Sequence, residues 1–306
     1  MAKVYFSKEI SSDSLVRVYE ALGVKLPGKV GVKVSTGEKG SKNFLEASLI
    51  GDLVRELGGT IVECNTAYPG ARNTAEDHMK TAEEHGFTSI ADVDIMDADG
   101  EFEIPVVNGK HLEHDIVGTH LKNYDSMLNL AHFKGHAMGG FGGVLKNQSI
   151  GVASRNGKAY IHSAGQTTDP DLCWTMPVEQ DDFVESMAEA AKAVSDYFGT
   201  KAEEDEPGYG INGANGRIVY IDVMNKMSVD CDCDSNQGDP VMADIGILAS
   251  TDPVALDQAA IDLVWGSDDP GAKDLQARVE RQNGRHILPY AEEIGLGTRE
   301  YELIEI

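Results

Sequence analysis

The chain has 306 residues, 41% of them hydrophobic and 25% charged, and 26 basic side chains against 51 acidic ones leave a net charge of −25. That acid excess excludes a nucleic-acid binder, which needs basic groups to displace phosphate counterions, and excludes adsorption to an anionic membrane. A chain of this length removes about 75% of its extended surface from water, so it folds without help from a metal or a disulfide.

No apolar run reaches 18 residues, and the opening MAKVYFSKEI lacks the apolar core of a signal peptide. A cytoplasmic protein with no membrane partner is therefore expected. Four cysteines occur, Cys64, Cys173, Cys231 and Cys233. In a reducing compartment they point to thiol or metal chemistry rather than to a disulfide framework. The glycosylation sequon Asn147-Gln148-Ser149 has no meaning without secretion.

The first third alternates strand-like and helix-like segments. VGVKV (30–34) is short, apolar and β-branched, and it predicts a strand. A helix follows over 44–57, with Leu45, Leu49, Leu53 and Leu57 on one stripe and Gly58-Gly59 as its stop. TIVEC (60–64) is the next strand, and a helix over 74–85 closes at Gly86. Such βαβα patterning favours a parallel sheet covered by helices. The middle is richer in strands, with a turn at Asp99-Gly100 and a buried strand at MLNLAHF (127–133). A long amphipathic helix is expected over 178–197. KAEEDEPGYGINGANG (201–216), acidic and then glycine-rich, has the composition of a linker and marks the expected lobe boundary. Strands at 217–224 and 241–250 come next, and Thr251-Asp252-Pro253 opens a helix through Trp265. The fold expected is α/β, with mixed, largely parallel sheets flanked by helices, in two lobes with a cleft.

Two nucleotide signatures fail. Gly23 to Lys29 fits the phosphate-loop spacing, but Val30 follows the lysine where Ser or Thr is needed, and a strand follows where a helix should. Gly140-Phe141-Gly142 begins a dinucleotide fingerprint, but Leu145 stands at its third glycine. No NAD or other nucleotide cofactor is expected.

Two strand-to-helix loops are better candidates. Ligands of parallel sheets sit beyond the carboxyl ends of the strands, near helix N-termini that attract anions. STGEKG (35–40) places Ser35, Thr36 and Lys39 there, and NTAYPGARN (65–73) places Asn65, Tyr68 and Arg72, the last a fork for a carboxylate or phosphate. Solvated connectors are the alternative.

DCDCD (230–234) alternates acids and thiols, and in an extended segment both cysteines face one side and the three aspartates the other. Cys231 and Cys233 can hold a transition metal such as zinc, iron or nickel, but they need further ligands from His132, His136, His162, Cys64 or Cys173. A calcium loop is excluded because Ser235 replaces its glycine and Val241 its bidentate glutamate. A polar turn, inert buried thiols and an acidic surface stay open.

HFKGHAMGGFGGVLKN (132–147) packs five glycines, two histidines and two lysines into sixteen positions. Its interspersed Phe133, Met138, Phe141, Val144 and Leu145 rule out a flexible linker. Glycines there permit close backbone approach, either to other chain segments or to a ligand. On the second reading Gly139, Gly140, Gly142 and Gly143 offer backbone N–H groups, while His132, Lys134, His136 and Lys146 transfer protons or stabilise charge. Asn147 belongs to the same cluster.

With these residues the chain resembles the domain of unknown function 362 family. The resemblance rests on HFKGHAMGGFGGVLKNQSIG, on Arg155-Asn156-Gly157-Lys158 and His162, on VGVKVSTGEKGS and NTAYPGARNTAEDH, and on the CDC segment with DIGILASTDPVALDQAA. It implies one family domain over 1–306. Many relatives carry a ferredoxin-like insertion after the position of His162. Here that region is GQTTDPDLCWTMPVEQ, with Cys173 as its one thiol, so no iron–sulfur cluster is expected. The glycine-rich stretch is also similar to that of nickel-pincer lactate racemases, in which histidines move protons and a lysine tethers the cofactor.

Together these readings predict an enzyme that binds a small anionic molecule or a metal-dependent cofactor and carries out redox or proton-transfer chemistry. A racemase- or isomerase-like reaction is one form of it. A non-catalytic protein that binds a ligand or a separate redox partner is the alternative.

Overall fold

The computed structural model describes residues 1–205 and 216–306. The expected lobe boundary at 201–216 lies mostly outside the described residues.

The chain order is β1 (Ala2–Ser7), α1 (Ser12–Ala21), β2 (Val30–Lys33), α2 (Ala47–Glu56), β3 (Thr60–Glu63), α3 (Ala75–Glu84), β4 (Val93–Ile95), β5 (Glu101–Pro105) and β6 (His114–Gly118). Then come β7 (Ser126–His132), β8 (Lys134–His136), β9 (Gly140–Gly142), α4 (Val144–Val152), α5 (Arg155–His162) and α6 (Gln180–Asp205). The last third holds β10 (Ile218–Met224), β11 (Gly246–Ser250), α7 (Pro253–Trp265), α8 (Ala272–Arg281), α9 (Ile287–Glu293) and β12 (Tyr301–Glu305).

Eight strands form one sheet in the order β12-β1-β11-β10-β7-β2-β3-β4. The five from β10 to β4 run parallel, while β11 is antiparallel to both β10 and β1. The fold is α/β with a mixed, mostly parallel sheet flanked by helices. Strands from both sides of the expected boundary pair directly, β7 with β10.

Every residue of β7 and β10 is buried, as expected for strands covered on both faces. Their alternation divides the core. Leu128, Leu130, Val219 and Ile221 pack with α1 and α2, while Met127, Ala131, Ile218 and Tyr220 pack with α4, α6 and α7 on the opposite face. Asp252 caps α7 by accepting from Val254 and Ala255 N–H at 2.9 and 3.0 Å.

The strand order fixes where a ligand can sit. The chain runs outward from β2 through β3 to β4, then returns to place β7 on the other flank of β2. The reversal between β2 and β7 leaves a crevice beyond their carboxyl ends.

Candidate functional site

Four parallel strands end in functional groups at that crevice. Lys33 ends β2, Glu63 ends β3, His132 ends β7, and the loop after β10 carries Cys231 and Cys233. Lys33, Glu63, Cys231 and Cys233 line a cavity of about 730 Å³, whose far wall is the face of α4 with Lys146, Asn147 and Ile150. Lys158 and His162 of α5 and Trp174 complete it.

One flank is a buried charge network. Lys33 Nζ lies 3.0 Å from Glu63 Oε2 and donates to Asn147 Oδ1 at 3.0 Å. Glu63 Oε1 accepts from Arg72 Nη1 at 3.2 Å and from Thr36 N–H at 2.8 Å. Burial alone would raise the Glu63 pKa, but the Lys33 and Arg72 charges pull it down to about 2. Arg72 also donates to Tyr68 Oη at 3.0 Å and lies 3.5 Å from Glu38. Asn147 Nδ2 donates to Asn129 Oδ1 at 2.7 Å and to the Lys33 carbonyl, which ties α4 to β7 and β2.

The other flank carries the thiols. Cys231 and Cys233 stand in a turn, not in the extended segment their alternation suggested, yet both still face the cavity. Asp232 alone points back into the fold. Its carboxylate accepts from His132 Nδ1 at 2.9 Å and from Lys134 Nζ at 2.9 Å. A hydrogen bond from Cys233, together with the Lys146 and Lys134 charges, holds the Cys231 thiol well below its usual range, and Cys233 is pushed up correspondingly. The pair thus shares one proton, with Cys231 as the thiolate. Lys146 Nζ lies 3.6 Å from Cys231 Sγ. Burial opposes the Lys146 charge, but the neighbouring thiols and Asp232 outweigh it and raise its pKa, so it stays an ammonium.

Two histidines complete the lining. His136 Nδ1 accepts from the backbone N–H of Gly139 at 2.9 Å and of Met138 at 3.3 Å. Burial and Lys146 lower its pKa to about 4, so the ring is neutral and its proton sits on Nε2. Burial lowers His162 to about 3. His162 stacks on Phe183 at 4.8 Å, and its Nδ1 has no partner among the described residues.

Of the residues singled out from sequence, Ser35, Lys39, Tyr68, Arg72, His136, Lys146, Asn147, His162, Cys231 and Cys233 all line the cavity. Lys39 sits at its rim, paired with exposed Glu84. His132 and Lys134 do not line it. They lie behind the Cys-x-Cys turn on Asp232 and serve its position rather than the cavity. Thr36 is turned onto Glu63, and Asn65 donates to Asp97 at 3.0 Å. The glycines Gly139, Gly140, Gly142 and Gly143 also stand behind the wall. A Cβ at Gly140 (φ +80°) would lie 2.8 Å from Gly284 Cα, and one at Gly143 would lie 2.2 Å from Asp257 Oδ1. At Gly139, Gly140 and Gly143 the close approach is to the chain's own segments, while Gly142 has only ordinary contacts.

Sequence reasoning missed Lys33, Glu38, Glu63, the lining role of Lys158 and the anchoring role of Asp232. A charged residue that ends an apolar parallel strand, as in VGVK and TIVE, is the signal that could have found Lys33 and Glu63.

As metal ligands, His136, Cys231 and Cys233 offer donor atoms that all lie within 4.8 Å of one another. Both thiols fit a soft metal. The imidazole fits less well, because backbone donors occupy Nδ1 and leave the proton on Nε2.

A family model described as a domain of unknown function (DUF362) matches residues 30–262. The chain belongs to the DUF362 family. In this DUF362 chain the match takes in every segment that lines the cavity. A lactate racemase apoprotein from Thermoanaerobacterium thermosaccharolyticum is similar to it at a TM-score of 0.37 and 13% identity, over 72% of this chain and 50% of that one. The chain thus spans half the length of that protein. Among curated proteins no match is found.

Proposed function

We propose that the cavity binds a small organic anion and that the Cys231 thiolate takes a proton from it, while Lys146 and Lys158 hold the negative charge. One observation carries this reading. In a chain of net charge −25, two lysines line the cavity with no carboxylate within 4.0 Å among the described residues. Lys158 is 7% exposed and donates to carbonyls alone, Ala153 O at 2.6 Å and Cys64 O at 3.4 Å. Lys146 has only the Cys231 thiolate. Lys158, a buried ammonium without a counter-ion, is costly unless an anion joins it, and Lys146 comes to the same state once Cys231 takes a proton.

The remaining groups then have defined work. The Nε2–H of His136 and the ammonium of Lys146 stabilise charge that develops as the proton leaves. His162 Nδ1 offers a hydrogen bond from an apolar wall, where Ile150 and Trp174 accept the carbon part of the ligand. A thiolate near a fixed ammonium suits proton transfer next to a carboxylate or carbonyl.

The test is stabilisation of the protein by a panel of small carboxylates and organic phosphates, followed by NMR of any binder in D₂O. Exchange of a carbon-bound proton that depends on Cys231 supports the proposal. Binding that Lys158→Met abolishes, without any exchange, leaves a non-catalytic binding protein. No stabilisation by any anion removes the reading.

A second reading takes the cluster of His136, Cys231 and Cys233 as a metal centre, with zinc, iron or nickel on the two thiolates. Elemental analysis of protein purified without an affinity tag decides it. Absence of metal, with fold and ligand binding intact in Cys231→Ser/Cys233→Ser, rejects it.

A further inference from the structure

Away from the cavity, a second group of metal-ligand side chains converges from three separate segments. Asp182 and Glu185 lie one turn apart on α6, His111 lies between β5 and β6, and His286 lies just before α9. The donor atoms of His111, Asp182 and Glu185 all fall within 4.8 Å of one another. The two Glu185 oxygens are shared, with His111 Nε2 2.6 Å from Oε2 and His286 Nε2 2.8 Å from Oε1. Asp182 Oδ1 is 3.8 Å from His111 Nε2.

We propose that His111, His286, Glu185 and Asp182 form a second cation site, selective for zinc or a similar borderline divalent metal, that pins the β5–β6 loop and the turn before α9 to helix α6. Two imidazoles and two carboxylates are a donor set that zinc takes readily. Ligands 2.0–2.2 Å from a tetrahedral ion stand roughly 3.3 Å apart, so His111, Asp182 and Glu185 close on an ion with small shifts, while His286, outside that group of three and held through Glu185 Oε1, turns in as the fourth ligand.

The tautomers permit it. Each Nε2 now donates to Glu185, and neither His111 Nδ1 nor His286 Nδ1 has a hydrogen bond among the described residues. The proton can move to Nδ1 and leave Nε2 free for a metal. His136 has no such freedom, since two backbone N–H groups hold its Nδ1.

The surroundings position the donors. Glu189, one turn further along α6, accepts the backbone N–H groups of Lys110 at 2.7 Å and Leu112 at 2.9 Å, which fixes the loop that presents His111. Tyr290 Oη donates to Glu189 at 2.6 Å and ties α9 to the same helix. Lys110 Nζ, 2.7 Å from Glu185 Oε2, neutralises the carboxylate without metal. That lysine side chain is 58% exposed and can swing into solvent when a divalent ion replaces it.

The test is a zinc titration against a chromophoric chelator, with thermal denaturation, on tag-free Cys231→Ser/Cys233→Ser protein, so that the thiols contribute nothing. Expected is one zinc bound per chain, a raised Tm with zinc, and at least about 10-fold weaker binding in His286→Gln and in Asp182→Asn. No zinc binding, or equal binding by both variants, overturns the proposal. If the double serine protein does not fold, the titration is run on the wild-type chain. There the two variants must each lose one zinc, and retention of all the zinc overturns the proposal. The outcome is independent of whether the cavity binds an anion.

Discussion

Lys146 Nζ lies 3.6 Å from Cys231 Sγ, a fixed cation beside a buried thiol. Nucleophilicity belongs to the thiolate, so this contact makes Cys231 the reactive cysteine of the chain. Cys64 and Cys173 are pushed the opposite way, chiefly by burial. Limited alkylation with iodoacetamide at pH 7, followed by peptide mass mapping, is expected to label Cys231 well before Cys64 and Cys173. Lys146→Met should move the pH profile of Cys231 alkylation to higher pH, since the thiolate then lacks its neighbouring cation. An unchanged pH profile in that variant would remove Lys146 as an activating group.

Glu63 is the anion on which Lys33 and Arg72 both close, so Glu63→Gln leaves buried Lys33 with no carboxylate partner among the described residues and Arg72 with Glu38 alone. Breaking a buried pair from one side costs about 3–5 kcal/mol. Because its folded pKa is about 2 against an ordinary 4.5, the stabilisation is complete above the ordinary value and is lost as pH falls from 4.5 towards 2. Urea denaturation at pH 7 should therefore separate wild type from Glu63→Gln widely, and denaturation near pH 3 much less. A gap that does not narrow with acid would show that the network's worth is not electrostatic.

The fold was legible in the sequence wherever periodicity was strong. VGVKV, TIVEC and RIVYIDVM are apolar runs that only a doubly covered strand explains, and Asp252-Pro253 marks the start of α7 to the residue. The alternation of Cys231 and Cys233 also led to the cavity, although through a turn and not a strand. What stayed hidden depended on long-range pairing. Lys33 and Glu63 are 30 residues apart, and Asp232 meets His132 from 100 residues away. A titratable residue in a rich local motif, such as Lys134, gives no sign whether it faces a ligand or a buried carboxylate until the β7–β10 register brings the Cys-x-Cys turn beside it.

Asp115 on β6 is fully buried, with Oδ1 accepting from Ile116 N–H at 2.8 Å and Oδ2 without a partner among the described residues. Burial pushes its pKa from 3.8 up to about 8. The folded chain thus holds a proton that the unfolded chain releases above pH 3.8. Stability from this group falls as pH rises from 3.8 to about 8, by about 1.4 kcal/mol per pH unit at most. Asp115→Asn removes that dependence. It is expected to stabilise the protein, more at pH 8 than at pH 5, in chemical denaturation measured at both. Destabilisation at pH 8 would mean that the carboxylate is charged and satisfied.

Gly143 ends the glycine-rich stretch at the N-terminus of α4, and its role there is steric. Asp257 of α7 accepts from Val144 N–H at 2.8 Å and from Leu145 N–H at 3.0 Å, capping the helix that carries Lys146 and Asn147. A Cβ on Gly143 would sit 2.2 Å from Asp257 Oδ1 and 2.8 Å from its Cγ, so the carboxylate must leave its place. The lost cap costs about 1 kcal/mol, and the displaced buried carboxylate adds about 1–3 kcal/mol. Gly143→Ala should therefore lower the Tm and weaken anion binding together, because α4 shifts relative to β2. Gly142→Ala is the control: its Cβ would meet Lys134 Cε at 3.6 Å, an ordinary contact, and both properties should survive. Were Gly142→Ala to abolish binding while Gly143→Ala kept it, the glycines would be contacting the ligand after all.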